Sequence, residues 1–162
     1  MHSVKHFEQY FSIHEFFNDL YKYNKTVVFI KVGNFYELYS YDKNGPDIFK
    51  IICTLNISYT LNNKNKILSK ENPYTTGFSI KSTGEFSDIL KNNDWISICM
   101  SHEYDIVKDK YINFKIDKII FPDNFNKNLY SGIEIDDKIG LFLKSLEEDF
   151  KNNTVTINSM NL

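Results

Sequence analysis

The chain has 162 residues, of which 42% are hydrophobic and 16% aromatic, enough for one domain with its own core and too apolar for a disordered tail. No apolar run approaches the roughly 20 residues of a membrane span, and Met1 to His6 lacks the apolar stretch of a secretory leader, so an intracellular protein is expected, in cytoplasm or nucleus. The net charge of −2 excludes a strongly basic nucleic-acid binder, yet it is unevenly spread: residues 1–122 carry 15 Lys and 14 acids, whereas 123–162 carry four Lys and seven acids.

Residues 4–23 have helical periodicity, with Val4, Phe7, Phe11, Phe17 and Leu20 on one stripe and His14 beside them as a core histidine. Thr26 to Val32 is β-branched and reads as a buried strand. Gly33-Asn34 interrupts it, and Phe35 to Tyr41 alternates. The two pieces form either a hairpin across a tight turn or one strand broken by a bulge. Residues 42–46 are a turn, and 47–53 is ambiguous between helix and loop. Leu55 to Leu61 is expected as a strand leading into a basic, Asn-rich loop over 62–73 that carries Lys64, Lys66 and Lys70. Thr75 to Ile80 is a further strand. Ser82 and Glu85 have the spacing of a capping box, opening a helix with Phe86, Ile89 and Leu90 on its apolar face. Trp95 to Met100 and Tyr111 to Phe121 are strands, the second ended by Pro122-Asp123. Asp136 to Phe150 is an acidic amphipathic helix with Ile139, Phe142, Leu143, Leu146 and Phe150 inward, followed by a loose polar tail over 151–162. The intermixing of elements predicts an α/β or α+β fold, a mixed sheet flanked by helices. The expected division is a body over 1–122 and a C-terminal extension over 123–162.

Little in this pattern points to catalysis. There is no phosphate-binding P-loop, no HExxH and no nucleophile elbow. His2 and His6 have i,i+4 spacing but lie at the chain start, where such pairs are ordinarily solvated. Cys53 and Cys99 sit in apolar company without metal spacing and read as reduced core thiols. No enzyme activity, metal or cofactor is expected. Ala and Arg are absent, so any phosphate contact must come from Lys, a point charge without the planar fork of Arg.

The segment Phe29-Ile30-Lys31-Val32-Gly33-Asn34-Phe35-Tyr36-Glu37-Leu38-Tyr39 resembles the signature F-R-M-G-D-F-Y-E-L-F of the MutS mismatch-recognition domain. The resemblance continues in order. Phe7-Glu8-Gln9-Tyr10 is similar to the family's first helix, and Leu55-Asn56-Ile57-Ser58-Tyr59-Thr60 to its L-D-I-S-L-T. Asn72 to Phe78 is similar to its P-M-A-G-I-P segment, and Phe86 to Met100 to its helix and the strand ending V-A-I-C-E. Each piece alone is weak; their succession over residues 7–100 is specific. An F-Y-E-L stretch by itself is ordinarily a core strand.

The resemblance implies a DNA-binding module for mismatched or distorted duplex. Phe35 would be a wedge entering from the minor groove, since an aromatic ring stacks on any base. A mismatched step unstacks more easily, so deformability supplies the discrimination. Glu37, two residues on at strand period, would hydrogen-bond the displaced base; a carboxylate accepts from a thymine imino group but must be protonated to reach a purine N7. Gly33 would permit the tight backbone before the wedge, with Asn34 where the family has Asp and Lys31 where it has Arg. Tyr36 would pack on the other side. Lys64, Lys66, Lys70 and Lys81 are the expected phosphate contacts. The length leaves no room for the family's connector, lever, clamp and ATPase domains, so the chain is expected to stand without them, whether complete or a piece of a longer protein, and a separate repair protein could supply them. The alternative is an interaction adapter in repair or replication that keeps the fold without DNA binding and docks a partner through helix 136–150. A nuclease would need converging carboxylates.

Overall fold

The computed structural model describes residues 4–160, with side chains over 5–148. Six strands form one mixed sheet: β1 (Lys25–Val32), β2 (Phe35–Ser40), β3 (Thr60–Leu61), β4 (Tyr74–Ser79), β5 (Trp95–Asp105) and β6 (Lys110–Ile120). Their order across the sheet is β3-β4-β2-β1-β5-β6. Only β1 and β5 run parallel, and the remaining pairs are antiparallel. The four helices are α1 (Val4–Leu20), α2 (Ile48–Leu55), α3 (Thr83–Asn92) and α4 (Ile135–Met160). This is the mixed-sheet α+β fold that the sequence predicts.

Strand register sorts the core into two layers. Tyr39, Glu37 and Phe35 share one face of β2, because side chains alternate along a strand. α1 lies on that face, with Phe7 and Tyr10 packed edge-on against the Tyr39 ring at 5.0 and 5.1 Å. The buried face of α1 is wider than the expected stripe and includes Tyr10 and Ile13. α4 covers part of α1, where Phe142 stacks flat on Phe16 at 4.1 Å. The opposite sheet face carries Tyr36, Phe29 and Phe78, and α3 closes it by stacking Phe86 on Phe78 at 4.9 Å.

Several expectations change. The stretch over 47–53, ambiguous in the sequence, resolves as a helix, α2: the Asp47 carboxylate accepts from Lys50 N, and Asn56 ends the helix in the left-handed region at φ 55°. Ile48, Ile51 and Leu55 at helical spacing are buried, which turns Cys53 outward; only Cys99 is a buried thiol. The expected strand over 55–61 shrinks to Thr60–Leu61. Ser82 makes no capping bond, because a 3₁₀ turn (Ile80–Ser82) runs directly into α3; Thr83 Oγ1 donates to Ile80 O instead. β5 runs five residues further than predicted, into a hairpin turn capped by Asp105. α4 continues to Met160 through the stretch expected as a loose tail, where no Gly or Pro intervenes to stop it. The expected inward position of Phe150, and the His2 half of the His2/His6 pair, lie outside the described residues.

Candidate nucleic-acid interface

β1 and β2 form the hairpin, and not the bulged strand. Val32 pairs with Phe35, so Gly33 and Asn34 alone make the turn. Gly33 has φ +59° while Asn34 stays negative, the combination of a type II′ turn, which needs glycine at its first central position. Asn34 O accepts from Ile80 N at 2.9 Å, which ties the turn to the end of β4. Phe35, the first residue beyond the turn, is 52% exposed.

On β2, Tyr39 is the position that the Phe7 and Tyr10 rings of α1 pack against. The remainder of that face forms a shallow groove of about 200 Å³ whose lining includes Phe35, Glu37, Tyr59, Thr60, Thr75 and Gly77. Gly77 lies directly across from Glu37 in the β2–β4 register. A Cβ there would stand 2.1 Å from Tyr36 O and 3.0 Å from Glu37 Cα, so only glycine lets the two strands pair at this point. Thr76 Oγ1 donates to Ser58 O at 2.6 Å and holds the chain before β3 against β4. Tyr59 forms edge-to-face contacts with Phe49 and Tyr74 and is partly exposed at the groove margin.

Glu37 is half-buried and held from within. Tyr39 donates its hydroxyl to Glu37 Oε2 at 2.6 Å, and His6 Nε2 lies 2.8 Å from the same hydroxyl. Burial, reinforced by the Glu37 charge, pushes the Tyr39 hydroxyl far above its usual range, so it keeps its proton. On the opposite face of β2, Tyr36 is buried as expected. Its hydroxyl donates to Asp117 Oδ2 at 2.8 Å, and Ser101 Oγ donates to the other oxygen of the same carboxylate at 2.8 Å. The β5–β6 register skips Asp117, which stands in a bulge. Burial and the nearby Asp117 raise the Cys99 thiol to about 12, so it is inert.

The lysines divide. Lys81 is exposed on the 3₁₀ turn that bonds the hairpin turn, next to Phe35 in the fold. Lys64, Lys66 and Lys70 are exposed on the β3–β4 connection. That connection is not a slack loop. Asn72 is buried, accepts from Asn63 N, and shares its amide hydrogens among Asn63 O, Lys66 O and Ile67 O. Lys31 pairs with Tyr36 and therefore sits on the sheet face opposite Phe35. It lines a second cleft with Ser101, His102, Tyr111 and Lys115.

The family model for MutS domain I matches residues 7–128. The chain belongs to the MutS domain I family. No curated protein matches it. MutS domain I is the DNA-binding, mismatch-recognition domain of mismatch repair, and the chain is a domain of that kind. No described helix is long and apolar enough to cross a membrane, and among the described residues no group of three or more His, Cys, Asp or Glu could hold a metal.

Within this MutS domain I the groove around Phe35 contains residues that the sequence did not single out. Gly77 joins it by pairing with Glu37 and Tyr59 from the chain just before β3, and behind it His6 reaches Tyr39 from 33 residues away. Only Tyr39 carried a sequence signal, the period-2 spacing that aligns it with Phe35 and Glu37.

Proposed function

We propose that this domain reads mismatched or distorted duplex DNA by inserting Phe35 from the minor groove beside a displaced base, with Glu37 hydrogen-bonding that base. The observation that carries the reading is the exposure of Phe35 at the hairpin start, on the same open face as Glu37. A ring held on a two-residue turn is presented with little conformational freedom left to lose on insertion. Lys81 and the loop lysines Lys64, Lys66 and Lys70 supply the cationic rim for flanking phosphates. Lys31, on the other face, is assigned a more distant contact or none. An adapter role through α4 is disfavoured because Phe142 and Leu146 of its apolar face already pack inward, Phe142 on Phe16 of α1.

The test is fluorescence anisotropy at low salt with a G·T duplex, a one-base bulge and matched duplex. The unmodified domain should bind the mismatch and bulge more tightly. Phe35→Ala should remove that preference, a loss of about 1–3 kcal/mol as expected for one base–aromatic stack. Equal weak binding to all three probes, unchanged by the substitution, would refute the wedge and leave generic lysine contacts.

A further inference from the structure

Two residues beyond Glu37, on the same face of β2, stands Tyr39. Its hydroxyl is fully buried and contacts Glu37 Oε2 at 2.6 Å and His6 Nε2 at 2.8 Å. A tyrosine hydroxyl has one hydrogen. With that hydrogen on Glu37, the Tyr39 oxygen accepts from His6, which fixes the His6 proton on Nε2. His6 is itself wedged among Phe7, Tyr39, His102 and Tyr111, so its ring cannot turn freely. Hydroxyl donation to Oε2 suits an oxygen that carries no proton, and it locks the carboxyl rotamer beside the groove.

We infer that Tyr39, held by His6, is a positioning residue that fixes Glu37 as a hydrogen-bond acceptor and makes the domain select displaced bases that offer a ring imino N–H. This inference rests on Glu37 being the base contact. An acceptor carboxylate matches the N3–H of thymine or the N1–H of guanine, whereas a purine N7, itself an acceptor, would meet it with repulsion. Without the Tyr39 hydroxyl the carboxyl group loses this hydrogen bond on its inner side, and the discrimination should relax.

The experiment compares two bulge duplexes that differ only in the unpaired residue: thymine, or its non-polar shape mimic 2,4-difluorotoluene, which stacks but has no imino hydrogen. Anisotropy titrations would be run on the full chain and on Phe35→Ala, Tyr39→Phe and His6→Gln. The unmodified chain should favour thymine by about tenfold or more, the worth of a hydrogen bond to a charged group. In Tyr39→Phe the advantage should shrink to about twofold or less while the mimic binds as before, because stacking is untouched. His6→Gln keeps an N–H toward Tyr39 and should keep most of the advantage. If Tyr39→Phe discriminates as well as the unmodified chain, the positioning role is wrong and the Phe35 reading stands. If the unmodified chain binds both probes alike, the assignment of Glu37 itself is wrong, whatever Phe35→Ala does. Should Tyr39→Phe melt out, His6→Phe removes the donor and leaves Tyr39 in place, with the same two outcomes.

Discussion

His14 should make the domain sensitive to mild acid, and the size of the effect follows from its burial. The ring lies in the buried face of α1, near-parallel to Tyr10 at 6.5 Å, and its Nδ1 has no hydrogen-bond partner among the described residues. Burial lowers its pKa from 6.5 to about 4, with Asp19 opposing weakly. A histidine whose folded pKa is depressed is protonated first in the unfolded chain, so the unfolded state binds more protons throughout that window. Stability therefore falls as pH drops from about 6.5 to about 4, and it is level on either side. The whole window is worth about 3 kcal/mol, of which about 2 kcal/mol lies between pH 7 and pH 5. Other groups titrate in the same range, so the measurement is a double difference: urea unfolding at pH 7 and pH 5 for the unmodified chain and for His14→Leu. The variant should be spared about 2 kcal/mol of the acid loss. A double difference below about 0.5 kcal/mol would refute the assignment of a buried neutral ring.

Gly77→Ala should destabilise the domain by about 3 kcal/mol in thermal or urea melts, because its Cβ meets the backbone oxygen of Tyr36 at 2.1 Å and neither strand can yield cheaply. Asn72→Ala should open the β3–β4 connection without unfolding the sheet, read as rapid trypsin cleavage at Lys64, Lys66 or Lys70 and a weaker, less salt-sensitive affinity for DNA.

The sheet was legible because its strands follow simple rules. β1 is a β-branched run, β2 alternates, and Gly33-Asn34 marks the turn between them. α2 was legible only as an ambiguity, because Ile48, Ile51 and Ile52 suit a strand as well as a helix over so short a run, and the decision falls to the caps at Asp47 and Asn56. Phe35 and Glu37 could be singled out by likeness to a family, whereas nothing local tells that Asn72 gathers Asn63, Lys66 and Ile67 around its side chain or that Tyr39 meets His6. Both depend on contacts made only once distant segments have packed. The lysines could be counted but not placed: Lys31 neighbours the turn in sequence and yet faces away from it, a consequence of strand alternation and of its pairing with Tyr36.

The carboxylate of Asp117 gives the hairpin a mechanical property. A ring that pries apart stacked base pairs is pushed back by the duplex, since kinking a step costs a few kcal/mol. On the proposed reading the load on Phe35 would pass at once to the next residue, Tyr36, whose hydroxyl is clamped to Asp117 on β6, beyond β1 and β5 in the sheet. Ser101 on β5 grips the same carboxylate. The strand that carries the ring is thus cross-braced to the far side of the sheet, like a cantilever bolted behind its fulcrum, and bending a DNA step does not require bending the protein first.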